Sequence, residues 1–317
     1  MDVLADMLSS LRLVAGVFLD GEFRTPWAVL SHISPDDCAV FFDQPHHVIG
    51  YHFVRSGWLT CQVGDGPEVR VSAGEIVLIP RNDPHCLRGP IACEPVDSHE
   101  LLGPPGDDGL FHVRAGGDGE ATKIYCGYLG TRAADDRLLA SLPPVMTVSL
   151  DAVRDRWMVE SMAFAAENLG ARAPEMVGKL AEGLFAEAVR RYCDALPAGD
   201  GGWIAGLRDP AVGKALSLIH ARYAEAWTIE TLARESGVSK TVLNDRFRAL
   251  LGEAPMQYCG RWRMRVAANM LRDDRQNAGS VAYSVGFGSE AAFSRAFKRE
   301  HGVPPGAWSR ERRRMPA

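Results

Sequence analysis

The chain has 317 residues, more than one ordinary domain needs and comfortable for two, and 46% of them are apolar, which excludes a wholly disordered chain. Its net charge of −5 is unevenly spread: from Trp203 onward there are 19 Lys/Arg against 11 Asp/Glu, and before it 16 against 29. A basic C-terminal part suits a polyanion, a role that the acidic N-terminal part excludes for itself.

In chain order, Val3–Leu13 has helical spacing, and the remainder of residues 1–130 reads as β. Ala39–Phe42, Val48–Val54, Trp58–Val63, Val69–Val71, Ile76–Ile79 and Lys123–Leu129 are short β-rich runs divided by Gly, Pro and Asp. Many short strands without intervening helices predict a barrel or sandwich. Gly74-Glu-Ile-Val-Leu-Ile-Pro80-Arg-Asn-Asp-Pro-His85 resembles the second motif of cupins, with Asn82 where that motif has its second glycine. Asparagine is the usual substitute at positive φ. Tyr51-His-Phe-Val-Arg-Ser-Gly57 resembles the strand and turn that close the first cupin motif.

The cupin resemblance implies a metal held by His-x-His, a Glu and a later His. Here His85 fits the later position; with Tyr51 in the place of the Glu, the His-x-His falls at Pro45 and His47. The Glu and one His are therefore missing, and only the adjacent His46 and His52 offer a rescue. No metal and no cofactor are expected. A pocket for an organic effector, lined by Trp27, His47, Phe53, Trp58 and His85, is the alternative use of this half. His85-Cys86 opens another: a thiol beside an imidazolium can be acidic and oxidisable, and Cys93 is near enough in sequence to resolve a sulfenate. A cysteine in a β-rich core is otherwise buried and inert.

Residues 131–150 are rich in charge and proline and read as a connection. Asp151–Leu169 is predicted helical, with Val153, Trp157 and Phe164 on its apolar side. A second helix runs from Pro174 to about Leu196 with Val177, Leu180, Leu184, Phe185 and Val189 at helical spacing. This pair either covers the β domain or joins two subunits. Pro197-Ala-Gly-Asp-Gly-Gly202 has the composition of a flexible linker. Asp209-Pro210 caps the next helix, which buries Val212, Leu216, Ile219 and Tyr223.

The last hundred residues contain a repeat. Ser239, Phe247, Gly252, Pro255 and Tyr258 recur fifty positions later as Ser289, Phe297, Gly302, Pro305 and Trp308, and Ala233 and Gly237 recur as Ala282 and Gly286. Such a period marks a duplicated supersecondary unit. Each copy reads as helix, glycine turn, helix. Thr228 caps Ile229–Ser236, Gly237 turns, and Ser239 caps a helix with Val242, Leu243, Phe247 and Leu250 inward. The second copy runs Ser280–Val285, Gly286 and Ser289–Glu300, with Ala292, Phe293, Ala296 and Phe297 inward. This is the helix-turn-helix arrangement, whose second helix enters the DNA major groove. Pro255–Arg272 would be one long helix between the copies.

Trp227-Thr-Ile-Glu-Thr-Leu-Ala-Arg-Glu-Ser-Gly, Arg261-Trp-Arg-Met-Arg and Val285-Gly-Phe-Gly-Ser-Glu-Ala-Ala-Phe-Ser-Arg-Ala-Phe-Lys-Arg-Glu resemble the DNA-binding domain of AraC/XylS-type transcription regulators. With Trp27 and Cys126-Gly-Tyr, the first half is similar to the cupin-type sensor of one branch of that family. The resemblance implies that Thr241, Asn244 and Asp245, then Glu290, Ala291, Ser294 and Arg295, face bases. Lys240, Arg248 and Lys298 lie on the same outward faces. Arginine pairs with guanine, asparagine with adenine, and a carboxylate accepts from cytosine. Arg261, Arg263 and Arg265 are candidates for phosphate contact. The family commonly dimerises through helices in the place of 151–196.

The expected fold is an α+β multidomain chain: a cupin-like β-barrel or jelly roll over residues 1–130, a connection, helical dimerisation segment and linker over 131–202, and an all-α tandem helix-turn-helix domain over 203–317. The expected function is sequence-specific binding of double-stranded DNA under control of an unknown small-molecule effector, by a homodimer that contacts RNA polymerase if it activates. An oxidant sensor acting through Cys86 is one alternative, and a metal-dependent cupin enzyme, which leaves the repeat unexplained, is the other. No apolar run reaches membrane-spanning length, no signal peptide is recognisable, and the seven cysteines form no Cys-x-x-Cys pair, which together predict a cytoplasmic protein with reduced thiols.

Overall fold

The computed structural model describes residues 3–11, 13–34, 37, 47–91, 93–107, 110–131, 137–150, 155–164, 174–196, 203–273 and 276–313. The chain divides into two compact units: Leu11–Leu196, and Pro197–Ala317 together with Met1–Ser10. In chain order the elements up to residue 196 are α1 (Val3–Leu11), β1 (Val14–Arg24), β2 (Ala28–Ser31), β3 (His47–Ser56), β4 (Trp58–Val63), β5 (Val69–Ser72), β6 (Glu75–Ile79), β7 (His85–Arg88), β8 (Val96–Asp97), α2 (Ser98–Leu101), β9 (Phe111–Gly116), β10 (Ala121–Thr131), α3 (Arg137–Ser141), β11 (Met146–Ser149), α4 (Arg156–Phe164) and α5 (Pro174–Ala195).

The strands form two sheets, ordered β11-β6-β3-β10-β1-β9 and β5-β4-β7-β2-β8. Neighbours are antiparallel except β1 with β9 and β2 with β8. The two sheets face one another across an apolar core that includes Phe23, Val54, Leu59, Val77, Leu87 and Ile124. The first unit is thus a cupin-like jelly roll of two sheets rather than a closed barrel. Alternation along each strand sends successive side chains to opposite faces. On the outer face of the larger sheet, Tyr51, Leu78 and Leu129 meet Met158 of α4 and Phe185 and Ala188 of α5. Phe185 is fully buried there, a gain of about 2–3 kcal/mol over leaving it in water. Asn82 has φ of 55°, as its place in the cupin motif requires, and its amide donates to the Ile33 carbonyl.

Two apolar residues of α4 depart from expectation. Trp157 and Phe164 are 55% and 52% exposed, while Met158 is buried. They lie seven residues apart and so share one face, turned away from the sheet that α4 helps to cover. The predicted strand Ala39–Phe42 and the predicted linker 197–202 lie outside the described residues.

The second unit is all-helical: α6 (Trp203–Arg208), α7 (Pro210–Ala221), α8 (Ile229–Glu235), α9 (Lys240–Leu251), α10 (Pro255–Asp273), α11 (Ala278–Ser284), α12 (Glu290–His301) and α13 (Pro305–Arg313). Asp209 caps α7 by accepting from the backbone N–H of Ala211 and Val212, each at 2.9 Å, and Pro210 fills the first turn. The long α10 joins the two halves. Its Met264, Ala267, Ala268 and Leu271 form one core with Val281, Phe293 and Phe297 of the second half. The N-terminal α1 packs in this unit, where Met7 Sδ accepts from the Tyr258 hydroxyl at 3.7 Å.

Candidate nucleic-acid interface and sensor cavity

The fifty-residue repeat is carried into geometry, cap by cap. Ser239 accepts from the Val242 N–H and Ser289 from the Ala292 N–H, each side chain starting a twelve-residue helix. Both helices end on a left-handed glycine, Gly252 and Gly302, whose N–H donates to Arg248 and Lys298 carbonyls at 2.9 Å. In the turns, Gly237 and Gly286 have φ of 78° and 80°, and the following N–H reaches back to Ala233 and Ala282 carbonyls. Leu232, Ala233, Leu243 and Phe247 are buried in the first unit, and Val281, Ala282, Phe293 and Phe297 in the second. Both halves are therefore complete helix-turn-helix units.

The predicted base-facing positions are all accessible. Lys240, Thr241, Asp245, Arg248, Glu290, Ala291, Arg295 and Lys298 are exposed, and Asn244 and Ser294 are half-buried. Val242, expected inward, is 40% exposed, and Leu251 takes the buried place at the helix end. Val242 thereby joins the outward face as an apolar group of the kind that meets a thymine methyl; its spacing beside buried Leu243 concealed this in the sequence. Two of the α10 arginines are engaged inside the unit. Arg261 bonds Glu253, and Arg263 donates to the Tyr223 carbonyl at 2.6 Å and to that of Glu225. Arg263 thus ties α10 to the chain that follows α7.

The jelly roll encloses a cavity of about 310 Å³ between its sheets. Leu19, Phe23, Val29, Leu87, Val113 and Ile124 supply much of an apolar wall, and Ser31, His32, His52, Cys126 and Tyr128 supply polar groups. Asp37, His99, Leu101 and Leu102 line it from the segment that includes α2 and from the loop after β2. His99 is held between Asp97 and Asp37 at 2.9 and 3.3 Å, and these bonds, to Asp97 first, raise its pKa. Among the residues proposed from sequence, Trp27 lines the cavity. His85 is 2% exposed and reaches it through His52, to which it is bonded at 2.7 Å. Phe53 is buried at a β3 position alternate to His52, His47 bonds the Pro80 carbonyl, and the Trp58 ring is stacked under Arg70. His52, Tyr128 and the α2 segment were not singled out by sequence as pocket residues; the alternation of β3 and β10 was the available signal for the first two.

Among the described residues no group of three or more His, Cys, Asp and Glu is arranged to hold a metal; His46 lies outside them. Cys86 is half-buried and Cys93 exposed. Arg88 bonds Glu68 at 3.0 Å and Gln62 at 3.3 Å, and the Cys86 side chain is the main cause of its raised pKa. No described helix is long and apolar enough to cross a membrane.

Comparison with known proteins agrees with this architecture. The cupin family model matches residues 2–194, and the helix-turn-helix domain model matches residues 232–311. An AraC-like transcription regulator of Streptomyces lividans is 34% identical over 84% of this chain and 88% of its own length. One from Streptomyces antibioticus is 32% identical, with the same shares covered. The crystal structure of the DNA-binding domain of AdpA with a target DNA aligns with 33% of this chain and 94% of that one, at 28% identity and a TM-score of 0.31. A jelly roll with an internal cavity, two matched helix-turn-helix units and relatives of this kind across most of its length place the chain in the family of AraC-like DNA-binding transcription regulators that carry a cupin domain.

Proposed function

We propose that the cavity between the two sheets binds a compact, largely apolar effector and that its occupancy controls DNA binding by the tandem helix-turn-helix units. The cavity itself carries this reading. At about 310 Å³ it is of the size that small-molecule sites have, with an apolar wall and few polar groups to orient a ligand. A ligand that binds only the folded sensor raises its stability by mass action. The test is to titrate the full-length protein with compact apolar compounds, following together DNA affinity and tryptophan fluorescence, to which Trp27 in the cavity wall contributes. Compounds that change the fluorescence and shift DNA affinity support the proposal; binding with no change in DNA affinity refutes control by this site.

We assign sensing to the strands within residues 1–130, coupling to 131–202 and DNA reading to 203–317, with α1 packed in the DNA-reading unit. Homodimerisation through the helical segment is supported by the exposed face of Trp157 and Phe164, since an apolar face turned to solvent marks a contact surface. A DNA-binding regulator works in the cytoplasm, and as an activator this one would also contact RNA polymerase. A second mode of control is oxidation of Cys86 and its resolution by Cys93, since Cys86 is only half-buried and Cys93 is exposed. Cys86→Ser tests it: an oxidant response that survives the substitution rules this mode out.

A further inference from the structure

The polar wall of the cavity is a directed hydrogen-bonded chain. His52 on β3 and Cys126 on β10 are register partners, and both line the cavity. Cys126 Sγ lies 2.8 Å from His52 Nδ1, His52 Nε2 lies 2.7 Å from His85 Nε2, and His85 Nδ1 lies 3.0 Å from the Asp83 carbonyl. A carbonyl can only accept, so His85 carries its proton on Nδ1 and offers a lone pair at Nε2. His52 must then donate from Nε2, which leaves its Nδ1 bare. The Cys126 S–H therefore donates to His52 Nδ1. Burial keeps His52 neutral, with the nearby His85 as a lesser cause, and burial also lowers the pKa of His85. Thiol and base thus face one another inside the cavity with the proton already aimed from one to the other.

We propose that Cys126 is a covalent capture site for small uncharged Michael acceptors, the α,β-unsaturated ketones among them, with His52 as its general base. The proposal rests on the effector-cavity reading. Cys126 Sγ bonds to the β-carbon while the C=C π pair moves toward the carbonyl to give an enolate. The thiol proton passes to His52 Nδ1, and the imidazolium returns it to the α-carbon. The product is a saturated thioether, and nothing is oxidised or reduced. His85 is a positioning residue: it accepts the His52 Nε2–H throughout, which fixes the tautomer and supports the transient imidazolium. Burial raises the pKa of Cys126, as does Asp20 to a lesser degree. The resting thiol is therefore neutral, and a reagent that stays outside the cavity meets no thiolate. This site is separate from Cys86 and Cys93, which do not line the cavity.

The experiment uses full-length reduced protein with 2-cyclohexen-1-one, and with cyclohexanone as the ring without the reactive double bond. Peptide mass mapping over time gives the adduct at each cysteine, with exposed Cys93 as internal reference. We expect Cys126 to gain one intact enone and cyclohexanone to slow that gain. His52→Gln keeps a hydrogen-bonding side chain without the basicity, and is expected to lower the Cys126 rate by on the order of 100-fold or more relative to Cys93. Wild-type protein alone supplies a second readout. Addition by an exposed thiol climbs with pH as thiolate forms, whereas capture by a neutral thiol and neutral His52 is flat between about pH 6 and 8. An unmodified Cys126 overturns the proposal, as does a Cys126 rate that climbs with pH like that of Cys93. If Cys126 stays unmodified while cyclohexanone raises the unfolding midpoint of the sensor unit, the cavity reading stands and capture alone fails. If neither compound binds, both fall for this ligand class.

Discussion

The two turn glycines of the repeat have the same backbone conformation and different surroundings, so replacing each by alanine separates two costs. Gly237 has φ of 78° and nothing within 4 Å of the position a Cβ would take. Gly237→Ala therefore carries only the left-handed penalty of about 1–2 kcal/mol, reduced by about 0.4–1 kcal/mol from the stiffer unfolded chain. Gly286 has φ of 80°, and its Cβ would sit 2.2 Å from the Ala224 carbonyl oxygen. That neighbour is backbone, so the chain after α7 or the turn itself must shift by about an ångström. Overpacking of this kind adds about 1–3 kcal/mol. Gly286→Ala is expected to cost about 2–4 kcal/mol in all, and Gly237→Ala about 1 kcal/mol or less. A protein of several cooperative parts does not melt in one step, so the assay is amide hydrogen exchange in full-length protein, comparing α9 and α12 amides. Equal loss of protection in the two recognition helices would refute the reasoning from Ala224.

Other outcomes follow from particular residues. Burial, with a lesser effect of Arg265, lowers the His220 pKa from 6.5 to about 3. The unfolded state therefore binds the extra proton first, and stability is lost as pH falls from about 6.5 toward 3, at up to about 1.4 kcal/mol per pH unit; His220→Phe should flatten this part of the curve, measured as the urea midpoint of the DNA-binding unit, and an unchanged slope would contradict it. Trp157→Ser with Phe164→Ser should weaken self-association in sedimentation, and an unchanged association constant would contradict a dimer contact on this face. The basic second unit should bind DNA with a steep salt dependence, each neutralised phosphate contributing about −0.9 to the slope of log K against log salt; a slope near zero would contradict the phosphate contacts.

Much of the DNA-reading half was legible because its signals are local. Ser239, Gly252, Ser289 and Gly302 cap helices through their own side chains or their own φ, and the repeat states each signal twice. The bounds of α8, α10 and α12 accordingly lie within a residue or two of the sequence reading. The extra helix α6 escaped notice, since Trp203–Arg208 is short and contains Gly206, which is there because Leu251 packs within 2.7 Å of its would-be Cβ. In the sensor, β1, β2, β7, β8, β9 and β11 were not anticipated. β1 contains Gly16, Asp20 and Gly21, which lower strand propensity locally; pairing with β10 and β9 on its two sides holds it extended. The cavity was the least legible feature. Its walls come from strands distant in sequence, and the contact of His52 with Cys126 and His85 spans 74 and 33 residues. Trp27 was named with the resemblance to the cupin-type sensor, whereas His52 showed only as a neighbour of a missing metal ligand. The exposure of Trp157 could not be read from helical spacing, which gives the apolar stripe but not the partner it meets.

Two different helices of one chain, α9 and α12, are expected to read two different DNA segments. Their accessible residues differ: Thr241, Asn244 and Asp245 on α9 against Ala291, Ser294 and Arg295 on α12. The direct measurement is binding-site selection from random DNA with full-length protein, Asn244→Ala and Arg295→Ala. Two such readers predict an asymmetric site whose two segments lie about 10 base pairs apart, one helical turn. Asn244→Ala should relax base preference in one segment and Arg295→Ala in the other, each by about 1–3 kcal/mol at its own base pair. If both variants instead weaken binding to all sequences alike, with base preference unchanged in both segments, these side chains only position the protein on phosphate, and the claim of two readers is contradicted.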